Sequence, residues 1–494
     1  MTVDPIATYG HARAAALALV DLDSGRRWTW AELNHAVDAA AGWLTGELGA
    51  GSGARVATLS RNTAEMVILQ QACIRAGAIF VPFNWRLAPA ELAVLIADAD
   101  PALAFHDAEF TVPDTAVKAL SLTGLTALRG TAPCPASARR GFDEPSTLLY
   151  TSGTSGRPKG VMISAANAFW SATNFMLGYN VSESSVFLCD MPLFHVAGLF
   201  GAAGTPLLAG ATLLVSRGFD AEQTLARIAD PALGVTHYFS VPQMAQMLWN
   251  QPGFEPAMLH GLHVYATGGA PNPAAQIERF VRAGIPMSDG FGMSETGSNF
   301  GMPVGDRELL IAKAGSCGFP FIAIQSRIVD EHGDDVSEGE TGELWLRGPS
   351  VTRGYWNQPE LTAAAFSDGW FRTGDAVRRD ADGFYFLVDR QKDMFISGGE
   401  NVYPAEVEAA IAQLAAVAEC AVIGVPDAQW GEVGCVFVIA VPGQAVTAEE
   451  VLDHCRTRLA RFKVPKSVVV GAEIPRTSTG KVQKHRLMAW LAGE

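Results

Sequence analysis

No two of the seven cysteines are spaced as C-x-x-C, no basic stretch opens the chain, and no internal repeat or low-complexity tract interrupts it. The cysteines, Cys73, Cys134, Cys189, Cys317, Cys420, Cys435 and Cys455, are odd in number and widely scattered. That argues against a disulfide scaffold or structural zinc and predicts reduced thiols in a cytoplasmic protein. Residues 1–9 carry Asp4 and no basic segment ahead of an apolar run, so no signal peptide is expected. Positive charge is scarce: 36 Lys and Arg stand against 51 Asp and Glu, a net charge of −15. Such a surface repels phosphate backbones, so neither nucleic acid nor an anionic membrane is an expected partner. Residues 191–216 contain no Asp, Glu, Lys or Arg, long enough to cross a bilayer. Gly198, Gly201, Gly204, Pro206 and Gly210 interrupt that run, and 211–215 reads as a separate strand. A buried helix–turn–strand is predicted there, not a membrane span.

Several catalytic signatures are also missing. There is no G-x-S-x-G elbow, no H-E-x-x-H, and no Gly-Lys-[Ser/Thr] Walker A ending. Gly49, Gly51 and Ala54 match a loose G-x-G-x-x-A, but they precede the strand at Val56 instead of following one, so they read as a turn.

What is present is a globular composition over 494 residues, 49% of them apolar. That length suggests about three domains, or one large and one small. The first third alternates strand and helix. Residues 56–59 read as a strand, and Asn62 offers an N-cap with Glu65 three residues on. Met66, Leu69 and Cys73 recur at helical spacing before Gly77. Strands are predicted at 78–83 and 102–105, with Pro89 opening the helix between them. This β-α-β-α-β order predicts a parallel sheet covered by helices. Residues 121–144 show little regular structure, and alternation resumes at 212–215, 221–228, 237–240 and 273–283. Short strands at 323–329, 342–347 and 383–388 predict a β-rich subdomain. The last hundred residues form their own α+β unit: helices at 404–414 and 447–459, strands at 419–425, 434–441 and 467–470. The boundary falls near Arg390–Asp393 and divides the chain into 1–391 and 392–494. The predicted class is α/β, with a large N-terminal domain and a small α+β C-terminal one.

The strongest local signal is TSGTSGRPKG at 151–160, between apolar runs at 148–150 and 161–163. Its glycines let consecutive backbone N–H groups turn toward an anion, its hydroxyls add donors, and its lysine adds charge. That is a polyphosphate cradle.

Read with the rest of the chain, this loop resembles the adenylate-forming superfamily of acyl-CoA synthetases, adenylation domains and luciferases. The resemblance runs from about Trp28 to the C-terminus. It rests on seven motifs in the family's order: TSGTSGRPKG at 151–160, PLFHVAGL at 192–199, GGAP at 268–271, GFGMSETG at 290–297, TGD at 373–375, DRQKDMFISGGENVYPAEVE at 389–408 and PRTSTGK at 475–481.

The resemblance implies roles. Thr151, Ser152, Gly153, Thr154, Ser155 and Gly156 would hold the β- and γ-phosphates of ATP, with Lys159 close by. Glu295 would bind Mg2+, a hard cation suited to a carboxylate. Asp375 would accept both ribose hydroxyls, and Arg390 would contact the ribose. Gly268, Gly269 and Ala270 would pass beside nucleotide and acyl group. Gly290, Phe291, Gly292, Met293 and Ser294 would form the adenine wall. Phe291 stands where the family usually has Tyr, and stacking survives the loss of the hydroxyl. His195 would line the acyl pocket and gate it.

Lys481 would stabilise charge on the phosphoryl oxygens as a carboxylate attacks ATP. Coenzyme A would then take the acyl group after the small, mobile C-terminal domain rotates about Lys392, with Gly399 leaving room for the pantetheine arm. Loading of a carrier protein, or retention of one half-reaction only, are the alternatives. The acyl pocket is expected from 194–198, 238–241, 268–270 and 297–302, which hold no Lys or Arg. Gly290, preceded by Asp289, stands where malonate-specific relatives tend to carry arginine. An apolar aliphatic or aromatic monocarboxylic acid is therefore the expected substrate, and a monomer or homodimer the expected assembly.

Overall fold

The computed structural model describes residues 3–494 except 88, 114–116, 128–133, 136–137, 152–158, 271, 391–392, 398–399, 403, 428–429, 460, 472, 477–481 and 493–494. The side chains of 126, 389, 390, 396, 400, 401, 485 and 492 are likewise outside the description. Among the described residues four sheets organise the chain.

The predicted β-α-β-α-β segment forms the centre of a six-stranded sheet. Arg55–Leu59 pairs in parallel with Ile79–Pro82 on one side and Leu103–His106 on the other. Helix Ala64–Ala76 connects the first two, and Gly77 ends it in the left-handed conformation at φ 69°, a position that favours glycine. The helix begins one residue later than Asn62 would place it. Thr63 is its N-cap, accepting from the Met66 N–H at 3.3 Å. Asn62 is drawn away by a tertiary partner: its Nδ2 donates to the Met191 carbonyl at 2.8 Å and its Oδ1 accepts the Leu193 N–H at 2.9 Å. Glu65, buried at 1% exposure, pairs with Arg26 instead of closing a capping box.

Strand Pro145–Thr151 continues this sheet, and Lys159–Ser164 folds back on it antiparallel, Thr151 opposite Lys159. These two strands bracket the expected phosphate loop, whose residues 152–158 lie outside the described part.

A nine-stranded sheet carries His237–Ser240, Val264–Thr267 and Met287–Met293 as parallel neighbours. The charge-free segment is buried: π-helix Ala197–Gly204, α-helix Thr205–Ala209, Gly210 at φ 73°, then strand Thr212–Val215. Among the described residues no helix is long and apolar enough to cross a membrane. One core cluster joins Phe80 and Phe105 of the six-stranded sheet, Met66 and Leu69 of the helix, and Leu19, Phe187 and Leu213 of the nine-stranded sheet.

The β-rich segment is a five-stranded antiparallel sheet around Thr341–Arg347 and Trp370–Arg379, with Tyr385–Arg390 on the latter. The last unit has its own sheet, in which Val417–Asp427 and Gly431–Ala440 are antiparallel and Ser467–Val470 adds in parallel. Its separate core contains Val407, Ile411, Val436 and Val451.

Candidate active site

A cavity of about 1600 Å³ opens where the two large sheets, the β-rich sheet and the C-terminal unit meet. Its wall holds Thr151, Lys159, His195, Gly268, Gly269, Gly290, Phe291, Gly292, Met293, Ser294 and Glu295. Ala270 and Asp375 stand outside that wall. Asp375 directly follows the wall residues Thr373 and Gly374 and is 4% exposed. Its backbone pairs opposite Arg390, whose side chain lies outside the described residues. Ser152, Gly153, Thr154, Ser155, Gly156, Lys392, Gly399 and Lys481 are also outside them.

The polar end is built by strand termini. Glu295 follows strand Met287–Met293 and is buried at 8% exposure. Tyr355, absent from the sequence expectations, donates its hydroxyl to Glu295 Oε1 at 3.0 Å. The Lys159 ammonium lies 5.5 Å from the centre of the Tyr355 ring, within cation–π range. Backbone contacts fix this arrangement. Thr352 N–H donates to the Glu295 carbonyl at 2.6 Å, Trp356 N–H to Gly160 at 2.7 Å, and Tyr355 bridges Val161. The strand following the expected phosphate loop, the carboxylate and the tyrosine are therefore one unit. Among the described residues no three His, Cys, Asp or Glu side chains stand together as a metal cage. A single carboxylate beside a lysine fits Mg2+, which keeps its waters and binds one or two carboxylates with substrate phosphates.

The apolar end is aromatic. Phe194, Val196, Phe239, Val241 and Phe300 line it as expected, and Phe175, Tyr179 and Phe321 join them. Phe175 meets Tyr179 at 4.6 Å and Phe239 at 5.7 Å between ring centres, both edge-on. Gly297 sits at φ 71°, and a Cβ there would lie 2.5 Å from Ser171 Oγ. A Cβ on Gly290 would lie 2.7 Å from the Phe300 carbonyl oxygen, so this backbone has no room for an arginine at that position.

The four expected pocket segments contain no cation, yet the cavity is not cation-free. Arg86 lines it, 5.9 Å from the Phe194 ring, and Arg372, Arg476 and Arg486 line it as well. Two buried carboxyls at the wall, Asp190 and Asp289, are shifted upward. Burial pushes Asp190 up to about 6 against the Thr224 and Tyr238 hydroxyls that hydrogen-bond it. Burial pushes Asp289 up to about 8.

Residues 7–356 match the sequence profile described as AMP-binding enzyme, and residues 406–481 match the AMP-binding enzyme C-terminal domain. The chain belongs to the AMP-binding enzyme family. Feruloyl-CoA synthase of Amycolatopsis sp is 38% identical over 475 residues, 96% of each chain. Indoleacetate–CoA ligase of Aromatoleum aromaticum is 36% identical over 448 residues, 87% of this chain and 86% of that one. The solved structure of o-succinylbenzoate coenzyme A synthetase (MenE) from Bacillus subtilis, in complex with ATP and magnesium ion, superposes with a TM-score of 0.88 at 29% identity, over 98% of this chain and 99% of that one. Within the AMP-binding enzymes the chain falls in the adenylate-forming superfamily, on its acyl-CoA synthetase branch.

Proposed function

We propose that the protein is an ATP-dependent acid–thiol ligase that converts an apolar monocarboxylic acid to its acyl-AMP and then to its coenzyme A thioester. One observation carries this reading: a single cavity joins Lys159, Tyr355 and Glu295 at one end to the Phe175–Tyr179–Phe239 cluster at the other. The polar end suits the polyphosphate of ATP and the aromatic end suits an acyl tail.

Lys159 and the 151–160 hairpin would hold the phosphates. Glu295, oriented by the Tyr355 hydroxyl, would hold Mg2+, which when bound neutralises phosphate charge. Thr373 and Gly374 bring Asp375 to the ribose side, and Phe291 offers a face to adenine. The substrate carboxylate is itself the nucleophile, attacking the α-phosphorus with release of pyrophosphate. Lys481 would stabilise the developing charge from the C-terminal unit. The CoA thiol then attacks the acyl carbon and AMP leaves. We place the domain boundary between 391 and 392 and assign the exchange of half-reactions to rotation at Lys392, with Gly399 beside the pantetheine arm. His195, next to Phe194 in the wall, borders the acyl group.

Edge-on rings favour a flat aryl group in the acid, in keeping with the feruloyl- and indoleacetate-activating relatives. The test is a panel of aryl, aliphatic and dicarboxylic acids incubated with ATP and CoA, reading acyl-AMP and acyl-CoA by mass spectrometry. Acyl-AMP with aryl acids and conversion on CoA is the expected result. Dicarboxylic acids turning over fastest would assign Arg86 a counter-charge role instead. Transfer only to a supplied carrier protein would refute CoA as the acceptor.

A further inference from the structure

Four buried polar side chains form a chain that starts in the cavity wall at Thr267 and runs behind it. Thr267 Oγ1 lies 2.8 Å from Asp289 Oδ1. Asn272 Nδ2 donates to Thr267 Oγ1 at 2.9 Å. Gln276 Nε2 donates to Asn272 Oδ1 at 3.1 Å and to the Pro242 carbonyl at 2.9 Å. The Asp289 carboxyl also accepts the backbone N–H groups of Gly290 and Asn272. None of the four side chains is more than 8% exposed.

Each link ends on a different part of the wall. Asp289 immediately precedes Gly290, Thr267 immediately precedes Gly268, and Pro242 follows Val241. Burying four polar groups in place of apolar ones costs free energy unless every member is bonded. What this network supplies that apolar packing would not is fixed spacing between three wall segments, two of which carry the glycines Gly268, Gly269, Gly290 and Gly292 and have few side chains of their own to pack. We propose that Asp289 is a positioning residue for adenylation: through Thr267, Asn272 and Gln276 it holds Gly268 and Gly269 and the 290–295 wall at the separation that nucleotide and acyl-phosphate require. The proposal rests on the adenylation reading of the cavity.

The state of the carboxyl adds a signature. Burial raises it to about 8, so it is protonated at neutral pH. Among the described residues the titratable groups facing it are Tyr179 and Cys317, which burial pushes up and keeps neutral over the same range. Asparagine is then a mimic of the native neutral group, and alanine is not.

The experiment compares wild type, Asp289→Ala and Asp289→Asn in acyl-AMP formation across pH, and in AMP affinity by calorimetry. Alanine removes the acceptor of two backbone N–H groups and leaves the Thr267 hydroxyl, as a donor, only its 3.2 Å contact with the Ser288 carbonyl, and kcat/KM for acyl-AMP formation is expected to fall roughly 10- to 100-fold, with AMP affinity weakened. Asparagine is expected to stay within about threefold at neutral pH and to lose the wild type's decline above pH 8. An alanine variant that matches wild type in rate and AMP affinity overturns the proposal. So does asparagine as impaired as alanine, or a loss that tracks the unfolded fraction in a melt. If alanine does not fold, Thr267→Val, which deletes the central hydroxyl at constant shape, carries the same expectations. If wild type activates no acid at all, the activity reading fails, but AMP affinity still judges Asp289: weakening by alanine with rescue by asparagine upholds it, and no change overturns it.

Discussion

Replacing Tyr355 by Phe isolates the contact between Glu295 and its orienting hydroxyl. The Tyr355 ring is 6% exposed and unchanged by the substitution, so no cavity opens. What is lost is one hydrogen bond of 3.0 Å to a carboxylate that is 8% exposed. Hydrogen bonds to charged groups contribute about 1.5–3 kcal/mol. If Glu295 contacts the cation on the way to the transition state, that energy is lost from catalysis, lowering kcat/KM for acyl-AMP formation by roughly 10- to 150-fold. The Lys159 ammonium, 5.5 Å from the ring centre, keeps its aromatic partner, so ATP affinity without Mg2+ should change little. The assay is single-turnover acyl-AMP formation at graded Mg2+, with the double variant Tyr355→Phe/Glu295→Gln closing a thermodynamic cycle. The expected pattern is a raised Mg2+ requirement and a coupling energy above about 0.5 kcal/mol. Additive losses, or an unchanged Mg2+ dependence in the single variant, would refute the idea that the tyrosine acts through Glu295.

Gly290→Ala should destabilise the protein by about 1–3 kcal/mol in thermal or denaturant unfolding, because the new Cβ stands 2.7 Å from a backbone oxygen that cannot swing aside. His237, 2% exposed and stacked on Phe187, is pushed down to about 4 by burial and by neighbouring His263. The unfolded chain therefore takes up a proton between about pH 6.5 and 4 that the native state refuses, and this group's contribution to stability falls as pH falls through that window, by about 3 kcal/mol in all. Asp190 and Asp289 shift in the opposite direction but are common to wild type and His237→Asn, so the difference between their denaturation curves at pH 7 and pH 4 isolates the histidine. Lys481→Ala should slow acyl-AMP formation by about 100- to 1000-fold, and thioester formation from supplied acyl-AMP much less; equal losses in both steps would remove it from that role. Lys392→Pro should suppress one half-reaction in a stably folded protein, since proline fixes φ where the backbone must switch; normal rates for both steps would show the pivot is elsewhere.

Strands bounded by turn residues were legible because their signal is local. Ser467–Val470 and His237–Ser240 fall where their apolar runs predicted them. The strands at 145–151 and 159–164 likewise bracket the contiguous glycines and hydroxyls of the expected phosphate loop. Asn62 misled for the opposite reason. As a capping residue it ranks at least as high as Thr63, and the choice between them was made by Met191 and Leu193, well over a hundred positions away. Tyr355 carried no signal of its own, since it reaches Glu295 across 60 residues through a backbone bridge to Val161. Phe175 and Tyr179 lie on or beside helix Ala165–Gly178, whose buried residues include Asn167, Ser171, Thr173 and Asn174. A helix burying polar and apolar side chains together shows no apolar stripe to mark which face meets the cavity.

This difference in legibility follows from how the two ends of the cavity are made. On the proposed reading, polyphosphate would be held by backbone N–H groups and single charges that a short loop can supply, so its residues are consecutive and their types are prescribed. The proposed acyl wall has no prescribed types. Phe175, Phe194, Phe239, Phe300 and Phe321 come from five separate segments, each free to vary provided the volumes interlock. Specificity set by such a wall should move in small steps, because one methylene more or less in an apolar pocket changes discrimination by about 1–3 kcal/mol. Polar discrimination at this end has to come from side chains that packing does not dictate, and Arg86 beside Phe194 is the cation so placed. Arg86→Ala should therefore leave aryl and aliphatic monocarboxylic acids in their wild-type order while shifting only acids that carry a second charge. A reordering of the uncharged acids in the same panel would mean that the Arg86 stem shapes the wall and that its charge is incidental.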